Sequence, residues 1–220
     1  MSVVAMMLHP DRVEAVELAT QIASYLNDSG HAVRLLEKEA AVIDRSEFQS
    51  AEEEFTKGAD LAVSVGGDGT MLRTFELFAA HDVPVLGVNV GHLGYLTEFE
   101  ADDAQNAIGL ALAGDLPVEE RLMVEARIER SDGGTEGGWI GLNEAVLEKK
   151  AQGHTVRLEV TIDGSPFATY AGDGLIVSTP TGSTAYNLSA RGSIVAPTHW
   201  SLQLTPVAPH MLFDRSLVLR

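Results

Sequence analysis

The hydrophobic period of this chain changes once, near Pro117, and that change limits what it can fold into. Upstream, compact apolar runs alternate with apolar residues at helical spacing, the order a parallel sheet with crossover helices requires. Val3 to Leu8 reads as a strand, and Val13, Val16, Leu18, Ala19, Ile22, Ala23 and Leu26 recur at helical intervals until Gly30. His31 to Glu37 resumes as a strand, the charged segment Glu47 to Lys57 holds a short helix, and Leu61 to Val65 is a further strand. A helix is expected from Thr70 to about His81, a strand from Pro84 to Val90, and a helix from Ala101 to Ala113 stopped by Gly114. Downstream of Pro117, apolar and polar residues take turns in Val124 to Glu129 and in Val156 to Ile162, as in a strand with one face on a core. Asp163-Gly164 and the glycine-rich run Asp132 to Gly138 are turn signals between such strands. The expected architecture is an α/β domain over residues 1–117 followed by an antiparallel, β-rich domain over 118–220.

Composition removes several classes of function. The 220 residues are 45% hydrophobic and 21% charged, which suits a globular chain and argues against disorder. Cysteine is absent, so thiol catalysis, CxxC redox chemistry and thiolate zinc sites are excluded. The start has no basic stretch before its apolar run and no small-residue cleavage site after it, so it reads as a strand rather than a signal peptide. No apolar run reaches the length of a membrane span, and the expected location is cytoplasmic. Asp and Glu number 32 against 15 Lys and Arg, a formal charge of −17 that would repel nucleic acid and anionic membranes. A small anionic ligand stays compatible where backbone N–H groups, a divalent cation or a few Arg reverse the sign within one cleft.

Four segments carry chemistry. Gly66-Gly67-Asp68-Gly69-Thr70 lies between a strand and a helix, where α/β sheets bind ligands. Its glycines let backbone approach a ligand, and its N–H groups with the helix N-terminus can cradle phosphate. Asp68 is repelled by phosphate unless it takes a proton from an attacking hydroxyl or holds a metal ion; its plainer role is to cap the helix. Gly87 to Leu96 follows the next strand and contains Asn89 and Tyr95. Asn143-Glu144, after the apolar Trp139 to Leu142, suits a ribose or a base, or is simply exposed. Asp173 to Tyr186 joins a short buried strand to a hydroxyl-rich stretch suited to sugar, amide and phosphate recognition, or else to a surface loop that binds nothing. Walker, GxGxxG, HExxH and Gly-x-Ser-x-Gly patterns are absent.

In this order GGDGT, GVNVGHLGYL (Gly87 to Leu96), LNEAVL (Leu142 to Leu147) and DGLIVSTPTGSTAY (Asp173 to Tyr186) resemble the NAD kinase family over nearly the whole chain. GGDGT alone is shared with lipid kinases and, in a close variant, with phosphofructokinases; STPTGSTAY is what separates NAD kinases from them. The resemblance implies a Rossmann-like α/β domain followed by a β-sandwich domain, and transfer of phosphate from ATP with Mg2+ to the 2′-hydroxyl of the adenosine ribose of NAD. It implies Asp68 as general base, Gly66, Gly67, Gly69, Thr70 and Arg73 around the donor phosphates, and Asp68, Gly69, Tyr95, Asn143, Glu144, Asp173, Thr181, Thr184, Ala185 and Tyr186 around NAD. It also implies a homodimer or homotetramer, with ATP or polyphosphate as donor. The rival readings are a dinucleotide-binding protein without catalysis and a GGDGT lipid or sugar kinase. Two departures from the family pattern stand out. Arg191 replaces a common glycine, and the segment matching Arg215 to Leu219 is followed in the family by further strands that this chain is expected to lack.

Overall fold

The computed structural model describes residues 1–91, 94–150, 153–212 and 214–220. They form two compact units, Met1–Val118 and Glu119–Arg220. In the first, strands β1 (Val3–Leu8), β2 (Ala32–Arg34), β3 (Leu61–Gly66), β4 (Val85–Asn89) and β5 (Phe99–Glu100) pair in parallel in the order β2-β1-β3-β4-β5. Between them run α1 (Val13–Asp28), α2 (Glu37–Val42), α3 (Glu52–Phe55), α4 (Asp68–Phe78) and, after β5, α5 (Ala104–Ala113). Both faces of the sheet are covered, which is why its strands read as continuous apolar runs. Val4, Met6 and Leu8 of β1 point into a core with Leu18 and Ile22 of α1 and Ile108 of α5. Ala5 and Met7 point the other way, toward Phe55 of α3 and Phe78 of α4. Each such Leu, Ile or Phe contributes about 1.5–3 kcal/mol by its burial.

The first unit departs from the sequence reading at element ends. The strand expected over His31 to Glu37 stops at Arg34, because Leu36 turns extended and Glu37 opens α2; Leu35 keeps a single bridge to Gln49. The segment from Glu47 to Lys57 includes α3 and the end of a 3-10 turn at Ser46–Phe48. Helix α4 starts at Asp68 rather than Thr70 and ends at Phe78 rather than His81. A 3-10 turn at Ala101–Asp103 precedes α5, and Gly114 stops the helix in the left-handed conformation at φ 77°.

The described residues of the second unit form three antiparallel sheets. A ribbon pairs β6 (Val124–Glu129) with β7 (Thr135–Gly141). The strand β8 (Glu144–Glu148) belongs to a four-stranded sheet, while β9 (Val156–Ile162) pairs with β10 (Ser165–Gly172) as a hairpin. The four-stranded sheet is completed by β11 (Gly174–Ser178), β12 (Leu202–Val207) and β13 (Leu217–Leu219), in the order β13-β12-β11-β8. Between β11 and β12 lie a 3-10 turn at Thr181–Thr184 and the short helix α6 (Tyr186–Ser189). The hairpin packs on the larger sheet through Tyr170, Leu175 and Leu204, with Leu158 and Val160 beside them. This sheet-on-sheet packing explains the alternate exposure along β9. The glycine-rich run from Asp132 is only half turn, since Gly137 and Gly138 lie inside β7 at a register shift opposite Ala126 and Arg127.

Candidate active site

In the first unit the strand order reverses at β1, whose neighbours are β2 and β3. A crevice forms outside the carboxyl ends of strands at such a reversal. There the structure has a cavity of about 420 Å³, lined by Leu8 at the end of β1, by the four residues that follow it, and by Gly67, Asp68, Gly69, Thr70 and Arg73 after β3. The N–H of His9 donates to Val65 O at 3.0 Å, holding the two strand ends together. Gly66 is packed so closely that a side chain there would strike the Thr70 hydroxyl, whereas Gly67 and Gly69 face open space. Gly67 is the extended residue before the helix, and Thr70 is buried, its amide donating to Gly67 O at 3.0 Å. The amides of Asp68 and Gly69 have no carbonyl four residues back within the helix and are the donors the turn can offer to an anion.

Asp68 does not cap this helix. Its carboxylate accepts the N–H of Tyr95 and of Leu96, each at 3.0 Å, and so straps the loop after β4 to the glycine turn. Two amides fix the carboxylate and leave its remaining lone pairs for a substrate proton. Gly94 makes this possible, because a side chain at that position would occupy the place of the Asp68 carboxylate. His92 and Leu93 of the same motif lie outside the described residues. Asn89 is buried, donates to Gly91 O at 3.4 Å, and has its Oδ1 without a partner among the described residues. The Tyr95 ring is exposed. Arg73 lines the cavity while donating to Glu39 Oε1 at 3.2 Å, and Glu39 is buried with its second oxygen unpartnered among the described residues.

The loop after β1 was missed by sequence reasoning. Arg12 donates to Val90 O at 2.6 Å and thereby holds the β4 loop from the other side. Its signal was the strand-to-helix junction His9-Pro10-Asp11-Arg12, a second strand end of the kind that drew attention to GGDGT.

In the second unit the LNEAVL and STPTGSTAY motifs are interlocked. Thr179 accounts for most of this: its amide donates to Asn143 O at 2.8 Å and its hydroxyl to Leu142 O at 2.5 Å, while accepting the Gly182 amide at 3.1 Å. Gly182 lies against the Asn143 carbonyl, where any side chain would clash. The stretch is no surface loop, since Thr179, Ser183 and Asn187 are fully buried. Asn187 donates to Ser183 O and Ser193 O and accepts the Thr205 hydroxyl at 2.6 Å. Thr181 accepts from Arg121 at 3.3 Å, and the Thr184 hydroxyl turns back to Thr181 O. Ala185 bends the chain from the 3-10 turn into α6.

Two carboxylates there have contrasting surroundings. Glu144, partly buried at the start of β8, has one oxygen sealed from solvent without a partner among the described residues, and burial pushes its pKa up. Such a carboxyl is a candidate for ligand contact. Asp173 instead accepts from Lys149 Nζ at 2.5 Å, so the NAD contact expected of it competes with an ion pair. The Tyr186 hydroxyl donates to Glu148 Oε1 at 3.0 Å, and that bond, followed by burial and the negative charges of Glu148 and Asp173, raises its pKa. Glu148 and Lys149 were missed as well. The pairing of Glu148 with Gly174 brings them beside Asp173, and no spacing in the sequence displays that register.

Among the described residues no helix is long and apolar enough to cross a membrane. Comparison with known proteins agrees with the geometry. A family model described as ATP-NAD kinase N-terminal domain matches residues 4–116, and one described as ATP-NAD kinase C-terminal domain matches residues 142–220. The NAD kinase of Heliobacterium modesticaldum is 41% identical over 219 residues, covering 100% of this chain and 77% of that protein. That of Symbiobacterium thermophilum is 40% identical, covering 98% of this chain and 76% of its own. Among solved structures, yeast NADH kinase complexed with NADH superposes with a TM-score of 0.92 at 26% identity, over 100% of this chain and 69% of that one. An NAD kinase from Archaeoglobus fulgidus in complex with ATP gives 0.75 at 25% identity, over 99% and 76%. With both family domains matched in order and relatives at about 40% identity along its length, the chain belongs to the NAD kinase family.

Proposed function

We propose that this protein transfers the γ-phosphoryl group of ATP to the 2′-hydroxyl of the adenosine ribose of NAD, giving NADP and ADP. The observation that carries this reading is the Asp68 carboxylate, held by two amides beside an open glycine turn at the strand-order reversal. In this reading Asp68 accepts the hydroxyl proton as the ribose oxygen bonds to the γ-phosphorus. The bond from that phosphorus to the bridging oxygen breaks, ADP leaves with the electron pair, and Asp68 returns its proton to solvent. Gly66 shapes the turn, Gly67, Gly69 and Thr70 receive the donor phosphates, and Arg73 neutralises part of their charge. The glycine turn then receives the donor, and Asp68, Gly69, Tyr95, Asn143, Glu144, Asp173, Thr181, Thr184, Ala185 and Tyr186 serve NAD.

Magnesium belongs to this proposal as part of the donor, Mg-ATP. Among the described residues no three His, Cys, Asp or Glu side chains come together as a metal cage. Mg2+ is ordinarily held by one or two carboxylates plus substrate phosphates, and Asp11 in the cavity lining fits that pattern. When bound, the ion offsets negative charge on the phosphates. A homodimer or homotetramer completes the reading by family resemblance. The dinucleotide-binder and lipid or sugar kinase alternatives draw no support from the relatives named above, which carry kinase names for NAD or NADH.

The test is NADP formation from NAD and Mg-ATP, read with an NADP-specific dehydrogenase, with polyphosphate as a second donor. Asp68→Asn should keep NAD binding and lose turnover by roughly two orders of magnitude or more, the scale of a removed general base. Unchanged turnover in that variant would refute the role of Asp68.

A further inference from the structure

A second cavity, of about 390 Å³, lies entirely within residues 119–220. Tyr186, Ser189 and Arg191 line it from α6 and its end, and Pro206 and Ala208 from the end of β12, with Asp214 beyond them. Four non-glycine residues have positive φ among those described: Asp44, Asp163, Arg191 and Ala208. Aspartate tolerates that conformation, whereas arginine and alanine rarely adopt it. Both of the unsuited residues line this one cavity. Backbone strain of this kind persists only where the surrounding structure over-determines it, and it clusters at active sites and ligand clamps.

Arg191 also stands where glycine serves best. Its amide donates to Leu188 O at 3.0 Å and that of Gly192 to Asn187 O at 2.7 Å, the paired bonds that close a helix around a left-handed residue. At φ 68° a glycine would close α6 without strain. What arginine adds is its guanidinium, which makes no hydrogen bond or ion pair among the described residues. Arg12, Arg73, Arg121 and Lys149 are each engaged by carbonyls, carboxylates or hydroxyls. Asp214, the carboxylate of the cavity, lies 3.6 Å from Arg215 instead.

An arginine without a partner, in a cavity that it lines together with Ser189, Tyr186 and the apolar Pro206 and Ala208, suits a phosphate carried by a larger, partly apolar ligand. We infer that Arg191 is a binding residue for a phosphate group of the dinucleotide, seated in this cavity. The inference rests on the NAD kinase reading, which places Tyr186 against the dinucleotide. The phosphate is either the diphosphate common to NAD and NADP or the 2′-phosphate that only the product carries.

Titration calorimetry with NAD and with NADP, in the absence of ATP, tests this on the wild type and on Arg191→Gly and Arg191→Lys. The glycine variant is compatible with the backbone, so its melting temperature should rise. Its dinucleotide affinity should fall about ten- to a hundredfold, the span of a lost charged hydrogen bond. Lysine should restore part of the affinity. Loss confined to NADP identifies the 2′-phosphate and makes Arg191 a residue that retains product; equal loss for both ligands identifies the diphosphate. If the wild type makes NADP and the glycine variant binds both ligands unchanged, the role of Arg191 is overturned and the kinase reading stands. A wild type that neither binds dinucleotide nor makes NADP overturns both.

Discussion

Gly94 has no side chain because the carboxylate of Asp68 occupies the place where one would be. This single contact connects two motifs 26 residues apart in a way that neither shows alone. A Gly94→Ala change would push the carboxylate off the amides of Tyr95 and Leu96, moving the proposed base by a fraction of its own size. Displacements near 1 Å at a reacting group cost on the order of a hundredfold in rate. The variant should therefore lose NADP formation by about that factor while its circular dichroism stays that of the wild type. A variant as active as the wild type would show that the strap does not position the base. At this scale the sequence identified Asp68 but not what holds it. The glycine spacing announced an open turn, whereas the hydrogen-bond partners depend on how the loop after β4 returns over it.

Helix α2 illustrates what a sequence hides at the scale of elements. It is six residues long, and it begins at Glu37, the last residue of a segment that reads as strand from His31. Its buried Glu39 reaches Arg73 of α4, so this short element is anchored by charge as well as by the buried Ala40. Arg73→Ala would leave that carboxylate buried and unpaired, a cost of about 1–3 kcal/mol given that Arg73 itself is half exposed. Adding Glu39→Gln should recover most of that stability in thermal melts, while use of Mg-ATP stays impaired because the cavity still lacks one of its two arginines. A single variant as stable as the wild type would mean the pair holds nothing together. The long elements were legible because period and burial agree, as in β1, α1 and β9. The misses share a cause: tertiary contacts overrode local pattern. Gly137 and Gly138 look like turn residues and instead sit in β7, where Gly137 approaches the Arg127 backbone too closely for a side chain. The interlocking of Thr179 with Leu142 and Asn143 similarly depends on β8 pairing with β11, a register no single strand declares.

The charge of the whole molecule is unevenly divided. Residues 1–118 hold 20 Asp and Glu against 6 Lys and Arg, and residues 119–220 hold 12 against 9. The unit proposed to receive the triphosphate is thus the more negative one, and it attracts its donor only locally, through helix amides, Arg12, Arg73 and the ion that travels with ATP. Self-repulsion on this scale weakens the compact state, and salt relieves it: the screening length falls from about 10 Å at about 0.1 M to about 3 Å at about 1 M. Raising sodium chloride over that range should therefore raise the melting temperature. The gain should be concentrated where the charge is, so amide hydrogen exchange near the unfolding transition should slow more in residues 1–118 than in 119–220. The salt bridges of the second unit argue in the same direction. Arg127 with Glu125 on β6, and Arg130 of the following turn with Glu136 of β7, are exposed pairs that added salt weakens, which subtracts from any gain there. A melting temperature that stays flat with salt, or protection that grows equally in both units, would mean that the acidic surface of the first unit is already neutral in effect. Its repulsion would then be no part of what sets the stability of this fold.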